Sequence, residues 1–217
     1  PDEKKRLALV LAGKRALPGW QPADNTNMDF YDLKGVVMAL LEGLRLPEVK
    51  LESAAHPSFH PGKCAHVMVK GQQIGVMGEL HPKVRAQYDW ASNFKAPVLA
   101  ADIDMDLLIG LIPALYQTEN VPTFPPVIED LAFILDEAIP AETVEGLMRQ
   151  TGGKMLTAVK LFDVFRSEQI GAGKKSLAYQ LTYQAGDRTL TDTEVAAARN
   201  KIIKRLEYEL KAKLRSV

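Results

Sequence analysis

Cysteine is nearly missing from this sequence. Cys64 stands alone among 217 residues, so no disulfide can form within the chain, which suits a reducing cytoplasm. No apolar run approaches the roughly 18–20 residues that a membrane span needs, and no leader pattern opens the chain. Net charge is missing too, since 27 Lys+Arg balance 27 Asp+Glu. There is no internal repeat, no low-complexity tract, no Cys-x-x-Cys and no His-Glu-x-x-His, which removes repeat architectures and the commonest local zinc patterns. What remains is the composition of a globular protein, 47% hydrophobic and 25% charged, long enough for one large or two ordinary domains. The chain opens on Pro1 rather than Met, and a piece of a longer protein is expected.

The balanced charge is unevenly placed. Residues 1–148 hold 13 basic and 20 acidic residues, residues 149–217 hold 14 and 7, so the two stretches carry −7 and +7. Such asymmetry points either to a polyanion-binding end or to a solvated helix face with a basic tail.

Periodicity divides the first stretch into mixed elements. Residues 7–12 form an apolar run ended by Gly13, the pattern of a buried strand. Asp29 is placed to cap a helix from about Tyr31 to Gly43, with Leu33, Val36, Val37, Leu40, Leu41 and Leu44 as its core stripe and Pro47 as its stop. Val49–Ser53 alternates as a strand. Ala65–Lys70 and Gln73–Leu80 form a hairpin about Gly71-Gln72. His81-Pro82 opens a short helix to about Tyr88, Ala96–Asp104 reads as a strand, and Leu107–Ile112 as a brief helix cut by Pro113.

Pro113, Pro122, Pro125 and Pro126 mark residues 113–126 as a linker, with the boundary near Glu119. Beyond it, Leu131, Phe133 and Leu135 line one face of a strand over Asp130–Asp136. Pro140 suits the first position of a helix carrying Val144, Leu147, Met148 and Thr151, ended by Gly152-Gly153. Leu156–Arg166 is the second strand, with Val159, Leu161 and Phe165 on one side and Lys160, Phe162, Val164 and Arg166 on the other. Ser176–Tyr183 is the third. Thr191-Asp192-Thr193-Glu194 is a capping box for a helix that carries Val195, Ala198, Ile202, Leu206 and Leu210 inward. Leu214–Val217 suffices for one edge strand. The order is βαββαβ, a ferredoxin-like sandwich, and the whole chain is α+β with domains 1–118 and 119–217.

Several patterns invite chemistry. Gly171-Ala172-Gly173-Lys174-Lys175-Ser176 fails as a phosphate loop, because Glu168 stands where its first glycine belongs and a strand follows rather than a helix; Gly75-x-x-Gly78 is weaker still. His56, His60, His66 and His81 crowd one window with Cys64, but three of them precede proline, which suits turn residues over metal ligands. Asp102, Asp104 and Asp106 put three carboxylates on one face if the strand continues, a magnesium-holding pattern, or else feed a helix cap at Asp106. A metal-dependent hydrolase built on those three carboxylates stays open. So does a βαββαβ half that acts as a regulatory module without RNA. The open sheet face is a plausible RNA platform: Lys160, Phe162, Val164 and Arg166 beside Ala178, Gln180 and Thr182, Lys174 and Lys175 in the adjoining turn, and Arg188 in the loop before the last helix.

The wording of several segments is similar to a known family. Leu161-Phe162-Asp163-Val164-Phe165, Gly173-Lys174-Lys175-Ser176-Leu177-Ala178 and Arg188-Thr189-Leu190-Thr191-Asp192 resemble the ferredoxin-fold anticodon-binding domain that closes the beta subunit of bacterial phenylalanine–tRNA ligases. Residues 29–37, His60-Pro61-Gly62-Lys63 and Gly75-Val76-Met77-Gly78-Glu79-Leu80-His81-Pro82 resemble that subunit's catalytic-like module, in the same order. The resemblance implies the last quarter of a beta subunit: a class II synthetase-like module without catalytic residues, then a domain that meets the anticodon stem-loop of tRNA(Phe). It implies an alpha subunit as partner in a heterotetramer, with ATP and magnesium used there and no cofactor or metal in this portion, and neither DNA nor a membrane as partner. Lys160, Phe162, Arg166, Lys174, Lys175 and Arg188 are the RNA-binding candidates. One departure stands out: Ile128-Glu129 precede Asp130-Leu131 where the family usually has arginine.

Overall fold

The computed structural model describes residues 3–16, 18–20, 22–90, 94–115 and 122–215. The chain falls into two compact units, Pro1–Thr118 and Glu119–Val217. The boundary expected near Glu119 lies outside the described residues.

The first unit is built on a five-stranded antiparallel sheet. Its strands are β1 (Arg6–Ala12), β2 (Val49–Ser53), β3 (Phe59–Val69), β4 (Gln72–Leu80) and β5 (Val98–Asp104), in the order β1-β5-β4-β3-β2. Helix α1 (Phe30–Gly43) and helix α3 (Met105–Leu111) bury one sheet face, with Leu33, Val37, Leu41 and Leu108 against Val67, Met77, Leu99 and Ile103. A short helix α2 (Pro82–Arg85) follows β4, with His81 Nδ1 accepting the Lys83 amide as its cap.

Capping decides where α1 starts. The Asp29 carboxylate accepts the Tyr31 amide at 2.8 Å while Asp32 returns a bond to the Asp29 amide at 2.7 Å, so two otherwise orphaned donors are satisfied. Arg15 then bridges Asp24, Asp29 and Asp32, tying the preceding loop to the helix start. That partnership holds the Asp32 carboxyl below its usual range.

Three expectations change here. β1 is an edge strand rather than a buried one: its residues alternate between exposed and half-buried, and Val10 is 65% exposed, because only the Leu7-Leu9-Leu11 side meets the core. The β3–β4 turn is Lys70-Gly71, both with positive φ, one residue earlier than read. α3 is capped by Asp104, whose carboxylate accepts the Leu107 amide, and not by Asp106.

The second unit is βαββαβ. Its strands are β6 (Val127–Asp136), β7 (Leu156–Phe165), β8 (Lys174–Tyr183) and β9 (Lys213–Arg215), in the antiparallel order β7-β8-β6-β9. Helices α4 (Ala141–Gly152) and α5 (Asp192–Leu210) cover one face. Their Val144, Met148, Val195, Ala198, Ile202 and Leu206 close over Phe133, Leu135, Leu177, Tyr179, Leu181 and Tyr183. Thr191 and Glu194 form the expected capping box of α5. Pro140 is the cap residue of α4 rather than its first helical residue, without a side-chain bond.

The second strand differs from its reading. β7 carries two register shifts against β8, which leave Thr157 and Phe162 without an opposite number. Before the second bulge, Val159 and Leu161 face the helices and Lys160 the open side, as the alternation predicts. After it the faces exchange: Val164 lies opposite Leu177 on the helix side, and Phe165 lies opposite Ser176 on the open side. One extra residue turns every later side chain to the other face.

Candidate functional site

The face of the second sheet away from α4 and α5 is defined by register. On β8 it carries Ser176, Ala178, Gln180 and Thr182; opposite them stand Ile134, Ala132, Asp130 and Ile128 on β6, and Phe165, Asp163, Lys160 and Ala158 on β7. Lys213 and Arg215 on β9 complete it. The Arg215 guanidinium carbon lies 5.4 Å from the centroid of the Phe165 ring, a cation–π pair. Phe165 remains 41% exposed and Ile128 56%. The result is a partly apolar sheet surface with an aromatic ring, a guanidinium and the exposed Lys160 on one side.

The six residues read as RNA-binding candidates divide. Lys160 lies on this face, opposite Gln180. Phe162 is the bulge residue, exposed but outside the alternation. Arg166, just beyond β7, is clamped by the Glu137 carboxylate at 2.8 Å, and Glu137 is held below the usual carboxylate range by that bond. Lys174 begins β8 opposite Asp136, exposed. Lys175 lies opposite Leu135 on the helix side and is only 8% exposed, its ammonium donating to the Glu137 carbonyl at 2.9 Å. Both lysines belong to the strand and not to the turn, and Lys175 is a structural group. Arg188 forms a forked pair with Glu194 at 2.7 and 2.9 Å; with the Thr191 amide it draws the Glu194 carboxyl down to about 2. Val164, read onto the open face, belongs to the helix side.

The charge asymmetry of the sequence folds away in the same manner. Pro1–Thr118 has 13 basic and 13 acidic residues, and Glu119–Val217 has 14 and 14. The acidic surplus lies at the start of the second unit, where residues 119–148 hold seven acids and no base. Glu137 meets Arg166 and Glu129 meets Arg199, so the unit answers its own basic end.

Glu129 itself stands opposite Leu181, under α5, with Arg199 Nη1 at 3.0 Å. It is therefore a helix-side group, whereas Ile128 beside it lies opposite Thr182 on the open face. The buried Tyr183 hydroxyl has no partner among the described residues; burial and the nearby Glu129 charge push it up to about 12.

In the first unit, a cleft of about 570 Å³ opens between the first turn of α1 and the ends of β2, β3 and β4. Asp102 is bound by Arg6 at 2.6 and 2.9 Å, Asp104 caps α3, and Asp106 accepts the Lys5 amide at 3.1 Å. These carboxylates are divided between a strand and a helix turn and are answered by Arg6 and the Lys5 amide, so they do not make the single acidic face that the hydrolase reading needs. His56 and His81 accept turn amides, and His60 Nδ1 meets the Pro61 carbonyl, as turn residues before proline do. Among the described residues no three His, Cys, Asp or Glu side chains gather as metal ligands. Gly75 and Gly78 serve close strand approach: a Cβ at either would lie 2.6 or 2.5 Å from a carbonyl oxygen of the neighbouring strand.

Comparison with known proteins matches both units. Residues 1–105 match the family described as the phenylalanyl-tRNA synthetase beta chain CLM domain, and residues 122–215 match the ferredoxin-fold anticodon binding domain. The phenylalanine–tRNA ligase beta subunit of Symbiobacterium thermophilum is 39% identical over all 217 residues, which are 24% of its own length. That of Moorella thermoacetica is 40% identical over 99% of the chain and 26% of its length, and that of Syntrophotalea carbinolica 38% over 99% and 26%. The chain belongs to the phenylalanine–tRNA ligase beta-subunit family. It spans about a quarter of the length of the beta subunits it matches. Alternation put Phe165 on the helix side and left Arg215 unassigned, because the bulge at Phe162 and the pairing of β9 decide their faces. Only a break in the apolar alternation after Leu161 could have signalled it.

Proposed function

We propose that residues 119–217 form an anticodon-binding domain whose open sheet face takes the unstacked bases of the tRNA(Phe) anticodon loop. The observation that supports this reading is the Phe165–Arg215 pair on a face free of helices. Bases stack on aromatic rings and guanidinium planes, while ammonium groups such as Lys160 and Lys213 neutralise phosphates. Lys174 stands at the same face's hairpin end, and Arg166 and Arg188 act chiefly by shaping the loops around it. The name of the family that residues 122–215 match agrees with this reading.

Residues 1–118 act as a catalytically silent synthetase-like module that meets the alpha subunit. The aspartates that could have held magnesium are engaged by Arg6 and by helix capping, which supports a scaffold role. On this reading the complete ligase charges tRNA in the cytoplasm with ATP and magnesium at the alpha subunit, and this portion positions the tRNA.

The test is binding of the purified chain to a tRNA(Phe) transcript and to an anticodon-substituted one, at two salt concentrations. Preference for the native anticodon, weakened by salt, is expected. Equal binding to both transcripts would reduce the domain to phosphate attraction.

A further inference from the structure

The three segments that carry the family resemblance in the first unit converge on one place. Residues 29–35 supply the first turn of α1, residues 60–63 the start of β3, and residues 75–82 the end of β4; Asp29, Phe30, Tyr31, Lys34, Gly62, Lys63 and Glu79 all line the 570 Å³ cleft described above. A scaffold role accounts for the buried Leu33, Val37 and Leu41 of α1. It does not account for a solvent-open cleft whose mixed lining brings Asp29, Lys34, Lys63 and Glu79 together from three separate segments.

Local geometry shows how the cleft is made. In register, Phe59 faces Leu80 and Cys64 faces Gly78, so His60-Pro61-Gly62-Lys63 all oppose the single residue Glu79. Gly62 takes a positive φ of 80° within this bulge. Gly78 has no side chain to keep the Lys63 carbonyl away from β4. The excursion brings Lys63 to Glu79 at 2.6 Å at the edge of the cleft. Bulges of this kind re-aim side chains beside binding sites.

The charges of the lining can be sorted into committed and uncommitted. Asp29 is committed to the Tyr31 amide and to Arg15, and Glu79 to Lys63. Lys34, Ser53 and the Tyr31 hydroxyl have no hydrogen-bond or ion-pair partner among the described residues. Burial pushes the Cys64 thiol up, so it adds an uncharged wall beside Leu51 and Ala65. The spare capacity of the cleft is therefore one positive charge, two hydroxyls and an apolar side. Its volume falls within the range of small-molecule sites.

We infer that this cleft is a binding site for a small carboxylate with an apolar body, its anionic end on Lys34 and Ser53 and its apolar end against Leu51 and Ala65. This goes beyond the RNA and scaffold roles and does not depend on them.

The test is amide chemical-shift mapping of the 217-residue chain titrated with benzoate, with benzylamine as the control of like shape and opposite charge. Benzoate is expected to give saturable shifts confined to residues 29–34, 51–53 and 62–65, with a Kd below about 1 mM. Benzylamine is expected to give none. Lys34→Gln should weaken benzoate at least tenfold while leaving the rest of the spectrum in place, and Ser53→Ala should weaken it less. Saturable shifts with benzylamine equal to those with benzoate, shifts mapping elsewhere, or unchanged affinity in Lys34→Gln would each overturn the assignment.

Discussion

The two units solve one problem in different ways. Each is an antiparallel sheet with helices on one face, and each is electrically balanced. In the first, the second face carries its own small cluster of Phe59, Cys64 and Val76, with Ala54, Leu80 and Ala100 packed against it. In the second unit, the corresponding face has no buried cluster of that kind among the described residues. It keeps instead the exposed Phe165 under Arg215 and the exposed Ile128. An antiparallel sheet tolerates a solvated face, so covering it is a choice made by loops. The β2–β3 loop and the bulge of residues 60–63 cover part of the first sheet, while the bulge at Phe162 presents a ring on the second.

The largest effect should come from the face both units share in kind. Phe133→Ala removes a fully buried ring beneath α4 and α5 and is expected to cost about 3–5 kcal/mol in urea unfolding. Phe59→Ala, in the thinner cluster, should cost clearly less because its surroundings can collapse toward solvent. Equal losses would break the distinction between a deep core and a cover.

A second substitution sharpens the comparison on the open face. Phe165→Ala is expected to weaken tRNA(Phe) binding by about 1–3 kcal/mol. Its unfolding free energy should stay within about 0.5 kcal/mol of the parent. Lys175→Met should do the reverse, leaving binding unchanged while leaving the Glu137 carbonyl without its donor, at about 1–3 kcal/mol. RNA affinity that falls with Lys175 and not with Phe165 would return the site to the sequence-level reading.

The smallest effect concerns pH. Glu194 has a folded pKa of about 2, below its ordinary 4.5, because Arg188 and the Thr191 amide hold it ionised. Its contribution to the start of α5 is therefore complete above about pH 4.5 and is lost as pH falls through about 2. Amide shifts of Thr191 and Glu194 followed through that range should move together in the parent. In Glu194→Gln the acid-dependent part of that movement should vanish.

Much of the fold was legible because it rests on local signals. The cap at Asp29 and the capping box at Thr191, the stripes of α1 and α5, and the order βαββαβ follow from residues within a few positions of one another. The site was less legible. Lys160 stands where alternation places it, but Val164 and Phe165 exchange faces, Lys174 and Lys175 lie on a strand instead of in the turn, and Arg215 was assigned to no face. Each of those outcomes depends on a partner strand: which residue a bulge leaves unpaired, and which edge a three-residue strand joins. The same holds for charge. The run of acids over 119–148 is plain in the sequence, but the pairing of Glu137 with Arg166 and of Glu129 with Arg199 needs the folded sheet and α5. The amino-acid sequence alone determined the elements, their caps and the family, since these depend on periodicity and short-range hydrogen bonds. Only the tertiary structure decided which charges remain available and which ring faces solvent, because register and long-range pairing assign each side chain to a face.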